Sequence, residues 1–174
     1  RPTVGLLNVG EEDQKGFDYL RAAAETLRRD DLPVNYVGFV EGSDFSSGTV
    51  DVIVTDGFTG NIALKTAEGV AQLVRAFLRR AFAANIFTKI AYLFARPALA
   101  RVRSMINPNA YNGAVFLGLN GISVKSHGGT NAFGYANAIG VAADMVKNGY
   151  LPEVSQAIAK ANLILNEEKR DENG

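Results

Sequence analysis

The sequence predicts an α/β protein built on an open, mostly parallel sheet that is covered by helices. Short apolar runs alternate along the chain with turns and with longer segments of helical periodicity, which is the element order of such proteins. The first run, Val4 to Val9, is interrupted only by Asn8, as is typical of a strand buried on both faces. The chain has 174 residues, enough for one domain with a sizeable core.

Apolar spacing and turn residues place the elements of the first half. Strands are predicted over residues 4–9, 34–40 and 50–55, with the glycine- and serine-rich stretch EGSDFSSG before the third. Helices are predicted over residues 17–29 and 61–80. Asp30 and Pro33 end the first helix, and Asp56 and Gly57 form a turn before the second. The core-facing positions predicted on the first helix are Phe17, Leu20, Ala24 and Leu27.

In the second half, turn residues again separate the predicted strands and helices. The turn cluster NPNAYNG precedes two short strands, predicted over residues 114–117 and 122–124. Helices are predicted over residues 130–147 and 152–166, followed by a solvated charged tail over 167–174. Asn148 and Gly149 end the first of these helices, and Pro152 lies in the first turn of the second. Candidate buried positions on the first are Phe133, Ala136, Ile139, Ala143 and Met145.

Composition narrows the classes of function. The chain has no cysteine, which excludes disulfides, thiol catalysis and cysteine-based zinc sites. With one histidine and no metal-binding motif, we expect neither a metal site nor a cofactor. The formal net charge of zero argues against a nucleic-acid partner. No apolar run is long enough for a spanning helix, and a chain without cysteine fits a cytoplasmic location.

The beginning of the chain predicts a larger protein. Residue 1 is not methionine, and the first apolar run starts three residues later. A buried parallel strand needs neighbouring strands and covering helices. We therefore expect this chain to be the C-terminal part of a longer sequence.

Polar side chains gather on three turns that follow predicted strands. In open α/β sheets, ligands bind beyond the carboxyl ends of the strands. Groups on such turns converge in space although they are far apart in sequence. The three turns are NVGEEDQKG, TDGFTGNIALK and VKSHGGTN.

The third turn combines groups that suit an anion. Glycines permit close backbone approach, and the free amides at a helix start favour negative charge. Lys125 adds a point charge and His127 a hydrogen-bond donor, so both are candidate catalytic residues. The predicted phosphate-binding residues are Ser126, Gly128, Gly129 and Thr130. The alternative is structural: a tight glycine turn, Thr130 as the helix cap and a histidine satisfied within the protein.

The other two turns have weaker signals. On the second turn, Asn61 is a candidate catalytic donor to a carbonyl or phosphate oxygen, and Asp56 orients a donor. The alternative is that Thr59 or Asn61 caps the following helix. The charged residues of the first turn fit a soluble loop better than a binding site. The predicted substrate-binding residues are Asn8, Glu12, Asp56, Gly57 and Lys65.

Residues 81–106 are both apolar and basic. Between residues 70 and 109 there are seven basic side chains and no acidic one. The large apolar side chains occupy an arc of roughly 140° on a helical wheel, and Pro97 is predicted to kink or break the helix. This pattern predicts a basic amphipathic helical hairpin on an anionic membrane surface; the alternative is a core or dimer-interface helix. The predicted membrane-contact residues are Phe82, Ile86, Phe87, Ile90, Leu93 and Phe94.

The three turns resemble those of the acyl-acyl-carrier-protein:phosphate acyltransferases of bacterial phospholipid synthesis (PlsX family). The resemblance rests on the motifs NVGEE, YVGFVEG, VDVIVTDGFTGNIALKTAEG and YNGAVFLGLNGISVKSHGGTNAFGYANAI, and it extends from Val4 to about Leu165. One departure is the pair Thr130 and Asn131, where we expect alanine followed by aspartate. That departure puts in doubt any role for a carboxylate there.

The resemblance implies a reaction and a fold. A long-chain acyl group would pass from acyl carrier protein to inorganic phosphate, and the acyl phosphate would feed a membrane glycerol-3-phosphate acyltransferase. The implied fold is a three-layer α/β/α domain like that of isopropylmalate dehydrogenases, present as a homodimer, of which residues 1–174 are the C-terminal part. The implied location is cytoplasmic, with peripheral membrane association.

Other functions remain open at this point. The basic apolar segment also suits docking of the acidic acyl carrier protein. A short-chain phosphate acetyltransferase on a related fold is a second enzyme reading, against which the segment argues. A non-catalytic membrane-binding module is a reading of another class, against which the three polar turns argue. A dehydrogenase on the related fold lacks the acidic metal-ligand cluster that it needs.

Overall fold

The computed structural model describes residues 1–171, without the side chains of 165 and 167–171, and divides the chain into two compact units. The first unit comprises Arg1–Phe77 and Ala161–Gly174, and the second comprises Leu78–Lys160. The last three positions of the predicted charged tail lie outside the described residues. In the described residues, the predicted end of the final helix at residue 166 is wrong, because that helix continues to Asp171.

Three parallel strands form the sheet of the first unit. They are β1 (Thr3–Leu7), β2 (Asn35–Val40) and β3 (Val52–Val54), in the order β2-β1-β3. Leu6 on the central strand pairs with Phe39 on β2 and Val54 on β3. The predicted α/β class and parallel sheet are confirmed, and the alternation of strands and helices fits a three-layer α/β/α fold.

The core of the first unit lies between the sheet and helix α1 (Asp18–Leu27). Leu6, Ala24 and Phe39 are buried there. Leu20 and Leu27 pack against them, as the helical spacing predicts. Phe17 is a wrong prediction: it is 65% exposed, because its backbone is extended at the residue before the helix and its ring stacks on Tyr19, 5.5 Å away.

A short helix that the sequence did not predict lies between β2 and β3. This helix, α2 (Asp44–Ser47), begins where an Asp44 carboxylate oxygen accepts the Glu41 amide at 2.8 Å. It ends at Gly48, whose φ of 66° is left-handed. The stretch was predicted as a loop because its serine and glycine content masks a single helical turn.

Helix α3 (Gly57–Ala83) begins four residues before the predicted start. The next helix is α4 (Ile86–Met105), and only Ala84 and Asn85 separate the two. Asn85 accepts the Thr88 amide at 3.0 Å, and Thr88 Oγ1 accepts the Asn85 amide at 3.1 Å, which forms a capping box. The chain therefore turns at the end of α3.

This turn corrects the predicted hairpin in two ways. Phe82 belongs to α3, so it does not share one helical wheel with the five predicted membrane-contact residues on α4. Pro97 does not break α4, which continues from Ile86 through Pro97 to Met105. A proline inside a helix removes one hydrogen bond, and the remaining turns hold α4 together. The Phe82 and Tyr92 rings meet across the connection at 5.4 Å.

The second unit also contains a pair of short strands after a 3₁₀ helix (Pro108–Tyr111). Strands β4 (Ala114–Val115) and β5 (Val124–Lys125) pair antiparallel. We expected the strand before VKSHGGTN to lie in the parallel sheet, and this is wrong within the described residues. The reason is the connection, because residues 116–123 are too few for the crossover that parallel strands need.

Helix α5 (Ala132–Lys147) follows, then α6 (Tyr150–Asp171). Asn148 and a left-handed Gly149 end α5, as predicted. The predicted buried face is wrong: Gly134 and Ala138 are buried, whereas Phe133 is 58% exposed. The small residues Gly134 and Ala138 face the 3₁₀ helix and the residues after it, because the two backbones approach each other closely there. The other predicted core positions that are exposed are Ala136, Ile139 and Ala143, and Met145 is half-buried.

Candidate active site

The first two polar turns follow parallel neighbouring strands. Asn8 comes directly after β1, and Asp56 comes two residues after β3. Because β1 and β3 run parallel, both residues lie at the carboxyl edge of the sheet. The third turn belongs to the second unit. Convergence of all three turns on one ligand stays a prediction.

Asn8 is buried at this edge with an incomplete set of partners. It is 8% exposed, and its amide Nδ2 donates to the Lys15 carbonyl at 3.1 Å. Its Oδ1 has no hydrogen-bond partner among the described residues. This oxygen lies against Gly16, where an added Cβ would come within 2.1 Å of it. Asn8 therefore shapes the first turn through Lys15 and Gly16.

Two charged residues of the first turn pair with each other, and Asp13 pairs with Arg28, the residue that follows α1. Lys15 Nζ lies 2.8 Å from Glu12 Oε1. The hydrogen bond from Lys15 lowers the pKa of the Glu12 carboxyl, and the same bond raises the pKa of Lys15. Both side chains are about half exposed, so the pair contributes little to stability.

Asp56 caps helix α3. Its Oδ1 accepts the Phe58 amide at 2.9 Å and the Thr59 amide at 2.8 Å. The hydrogen bond from Thr59 is the main cause that lowers the pKa of Asp56. The expectation that Thr59 or Asn61 caps this helix is therefore wrong, because the carboxylate before Gly57 reaches the same amides first.

The other predicted residues of the second turn lie on α3. Asn61 is exposed and its side chain makes no hydrogen bond with the described residues, so its amide is open to a ligand. Lys65 Nζ lies 2.8 Å from Glu68 Oε2, one helical turn further on. That ion pair engages the ammonium group, and the role of Lys65 in substrate binding stays a prediction.

The third turn is held by the buried side chain of Asn112. Its Nδ2 donates to Ser126 Oγ at 2.9 Å and to the Gly134 carbonyl at 2.8 Å, with a longer approach of 3.3 Å to Thr130 Oγ1. Its Oδ1 accepts the His127 amide at 2.9 Å. The turn is thereby fastened to the chain segment that precedes β4.

His127 has a defined tautomer in this arrangement. Its Nδ1 accepts the Gly129 amide at 3.1 Å, so that nitrogen carries no proton. The neutral ring then carries its proton on Nε2. His127 consequently offers an N–H donor that could bind a phosphate oxygen or a developing oxyanion.

The donors of the turn fall into two groups. Gly129 N–H is bound to His127, and the Thr130 hydroxyl donates to Asn109 Oδ1 at 2.9 Å. Their contact with phosphate stays a prediction and requires an exchange of those bonds. Further donors have no acceptor among the described residues. They include the Lys125 ammonium, the Ser126 O–H, His127 Nε2–H and Gly128 N–H.

The start of α5 is capped by Asn131 and not by Thr130. Asn131 Oδ1 accepts the Gly134 amide at 3.0 Å, and the Asn131 amide donates to Asn109 Oδ1 at 3.2 Å. The structural alternative that made Thr130 the cap is therefore wrong. The unexpected Asn131 performs the capping that an aspartate would also perform.

The predicted membrane-contact residues on α4 are all exposed. Phe87 is 79% exposed and Phe94 is 83% exposed, and neither lies in a core within the described residues. The other three exposed residues are Ile86, Ile90 and Leu93. None of the described helices is both long enough and apolar enough to cross a bilayer. In the part of the chain that is described, no cluster of acidic and histidine side chains could hold a metal ion.

Sequence reasoning missed Asn109 and Asn112. Both lie in NPNAYNG, which was interpreted only as a cluster of turn residues. One signal was present, because three asparagines within six residues carry more hydrogen-bonding groups than a turn needs. Their partners lie 14 to 22 residues further along the chain, which no local pattern indicates.

The fold and the open donors of the third turn describe an α/β protein with a candidate anion site ahead of a helix. Residues 1–152 match the model of a family described as fatty acid synthesis protein. The chain belongs to this family.

Curated relatives agree with that assignment. A phosphate acyltransferase of Paramagnetospirillum magneticum is 59% identical over 150 residues, which cover 86% of this chain and 43% of the relative. Phosphate acyltransferases of Rhodospirillum rubrum and Rhodospirillum centenum are 51% and 55% identical, covering 94% of this chain and 47% and 46% of theirs. The chain spans about half the length of the curated relatives it matches.

Proposed function

We propose that the protein containing this chain transfers a long-chain fatty acyl group from acyl carrier protein to inorganic phosphate. The observation that carries the proposal is the group of open donors on residues 125–128. A phosphate has several oxygens that need donors, and these lie on one short turn. The name phosphate acyltransferase of the relatives supports the reaction class and the acceptor.

In the proposed reaction a phosphate oxygen attacks the thioester carbonyl carbon. A carbon–oxygen bond forms, the carbon–sulfur bond breaks, and the proton of hydrogen phosphate passes to the carrier thiol. The protein must desolvate phosphate and hold it against the carbonyl, which is largely a matter of orientation. Donors that are already in place stabilise the charge on the carbonyl oxygen.

Each open donor has a proposed role. Lys125, Ser126 and Gly128 hold the phosphate. His127 Nε2–H donates to the phosphate or to the carbonyl oxygen. Asn61, in the first unit, stays a candidate donor to a carbonyl or phosphate oxygen. The product is an acyl phosphate, which we expect a membrane glycerol-3-phosphate acyltransferase to consume in phosphatidic acid synthesis.

We further propose that α4 brings the protein to an anionic membrane surface, as a cytoplasmic homodimer that associates peripherally. Exposed aromatic and aliphatic side chains lie on this helix, and residues 70–109 carry basic side chains without an acidic one. Apolar burial together with attraction to anionic lipid is the usual basis of interfacial binding. A lipid-like product gives such an enzyme a reason to work at the membrane.

The test of the reaction uses a protein of full family length that contains this chain. Palmitoyl carrier protein and inorganic phosphate are mixed with it, and the acyl phosphate is trapped as hydroxamate. We expect phosphate-dependent product. The His127→Ala and Lys125→Ala variants should each lower kcat/KM for phosphate by about tenfold or more. Lys147→Ala, at the far end of α5, is the matched control and should behave as wild type.

The other outcomes separate the remaining functions. If neither substitution changes product formation, the proposed reaction stands and the proposed phosphate site is rejected. Equal use of an acetyl donor indicates a short-chain phosphate acetyltransferase. If a folded protein forms no phosphate-dependent product from either acyl donor, the result favours a non-catalytic membrane-binding module.

A further inference from the structure

We propose that Asn112 is the positioning residue of the anion-binding turn, acting through its hydrogen bonds to Ser126 and His127 and not by contact with the substrate. The inference rests on the proposed function, because it assigns a residue that prepares the same turn. It concerns a side chain that lies outside the three polar turns.

The geometry leaves one orientation for the Asn112 amide. Its Nδ2 lies 2.8 Å from the Gly134 carbonyl, which can only accept, and its Oδ1 lies 2.9 Å from the His127 amide, which can only donate. The side chain is 7% exposed. A buried amide with satisfied donor and acceptor ends is held rigidly, because each lost bond leaves a buried polar group without a partner.

The bond to Ser126 determines what that hydroxyl offers a ligand. Asn112 Nδ2 donates to Ser126 Oγ, so the oxygen acts as an acceptor on the side of Asn112. The hydroxyl hydrogen is then left to point elsewhere, and it has no acceptor among the described residues. Asn112 thus presets Ser126 as a donor, which is the function that phosphate binding needs.

The bond to His127 fixes the backbone at the centre of the turn. With the His127 amide bound to Oδ1, the turn is closed by Thr130 N–H, which donates to the His127 carbonyl at 3.1 Å. The Gly128 amide stays open between these two bonds. Loss of Asn112 would leave the His127 amide without a partner and the direction of the Gly128 amide unspecified.

Asn112 is itself firmly placed. It follows the 3₁₀ helix, and the next residue, Gly113, has a φ of 123° and lies against α5. A Cβ at Gly113 would come within 3.0 Å of the Ala138 Cα. Asn109, one turn earlier, accepts the Thr130 hydroxyl and the Asn131 amide, which anchors the far end of the same loop.

The asparagine amide supplies both a donor and an acceptor at position 112. Aspartate retains an acceptor for the His127 amide but has no donor for the Gly134 carbonyl. Alanine retains neither. Asn112→Asp therefore removes the donor and keeps the acceptor, whereas Asn112→Ala removes both. The control is Asn120→Ala, in the exposed turn between β4 and β5, which removes an amide that makes no such bonds with the described residues.

The experiment compares these three variants with wild type in a protein of full family length. Hydrogen–deuterium exchange over residues 125–131 reports the shape of the turn. We expect exchange to be about tenfold faster in Asn112→Ala, less affected in Asn112→Asp and unchanged in Asn120→Ala. The KM for inorganic phosphate should rise about tenfold in Asn112→Ala, with the KM for palmitoyl carrier protein unchanged.

Two results would overturn the proposal. Unchanged exchange over residues 125–131 in a folded Asn112 variant would show that the side chain does not hold the turn. Faster exchange with equal changes in both KM values would assign Asn112 a general structural role. If Asn112→Ala does not fold, the same two measurements on Asn112→Asp decide. If the wild type forms no phosphate-dependent product, the proposed function is refuted, and hydrogen–deuterium exchange still tests whether Asn112 holds the turn.

Discussion

Four short polar side chains in similar sequence contexts have different structural roles. Asp56 and Asn131 cap helices, whereas Asn112 bridges two loops and Asn8 is buried with an Oδ1 that has no partner among the described residues. The residue type alone does not distinguish these roles, because each depends on which backbone amides come within reach.

Gly134 allows the hydrogen-bond network to approach α5. A Cβ there would lie 2.2 Å from Thr130 Oγ1 and 2.7 Å from Asn109 Oδ1. We expect Gly134→Ala to destabilise the protein by about 1–3 kcal/mol in thermal unfolding. The control is Gly140→Ala on the same helix, where nothing but the helix's own backbone lies within 4 Å of the new Cβ among the described residues.

Gly140→Ala should stabilise the protein by about 0.5–1 kcal/mol, because alanine loses less backbone entropy than glycine in a helix. Equal effects of the two substitutions would contradict the close approach at Gly134.

Asp56 should make the stability of α3 depend on pH. Its pKa in the folded state is lowered from 3.8, so the charge-assisted part of its cap is fully present above that value and is lost as the pH falls through the lowered pKa. We expect Asp56→Ala to lower Tm more at neutral pH than in strong acid, where the protonated carboxyl of wild type keeps only a neutral acceptor. Asp56→Asn keeps an acceptor without the charge and should remove this pH dependence. A Tm difference between Asp56→Ala and wild type that is the same at both pH values would refute this role.

At the scale of elements, α4 combines a solvent-exposed apolar face with basic residues. Its exposed side chains form no core in the described part of the second unit. Exposed apolar patches of this kind mark interaction surfaces. The helix is therefore the element on which the membrane proposal is tested.

We expect the protein of full family length to float with vesicles that contain anionic phospholipid and not with neutral vesicles. The double variant Phe87→Ser and Phe94→Ser should weaken binding by about 100-fold or more, because two phenyl rings lose their burial in the bilayer. Phe133→Ser, on α5, is the matched control. Flotation that the double variant leaves unchanged would remove α4 from membrane contact.

Pro97 should limit the intrinsic stability of α4. The ring lacks the amide hydrogen that would bind the Leu93 carbonyl one turn earlier. In a peptide of residues 85–106, Pro97→Ala should raise helicity in circular dichroism, since proline is about 3 kcal/mol less favourable than alanine inside a helix. Equal helicity of the two peptides would show that Pro97 does not limit the helix.

At the scale of the whole molecule, many large apolar side chains have no cover within the described residues. They occur on α3, on α4 and on α5, and the outer strands β2 and β3 leave two sheet edges unpaired in the described part. The curated relatives are about twice as long as this chain. Additional chain or a second copy would supply the missing cover.

We expect the 174-residue chain on its own to bind a hydrophobic dye and to associate as its concentration rises. A protein of full family length should show neither behaviour beyond its defined oligomer. Light scattering and dye fluorescence measure the two effects. A monomeric 174-residue chain without dye binding would mean that the exposed faces are tolerated in solution.

The sequence by itself determined the α/β class, the three parallel strands, and the existence and approximate extent of α1, α3, α5 and α6. These follow from local periodicity and turn residues, because a buried strand and an amphipathic helix each leave a pattern within a few residues. The family was also predictable, since long motifs such as SVKSHGGTNAFG extend over several turns. The candidate donors Lys125, Ser126 and His127 came from the same motif.

Only the tertiary structure decided which of those donors are open. The Gly129 amide is bound to His127 and the Thr130 hydroxyl to Asn109. Asn112 donates to the Ser126 oxygen, which leaves the Ser126 hydroxyl hydrogen available to a ligand. It also decided the buried face of α5, where Gly134 and Ala138 face inward and Phe133 faces outward. The physical reason is the same in each case: hydrogen-bond partners and close backbone approaches join residues far apart in the chain, and local patterns do not encode those distances.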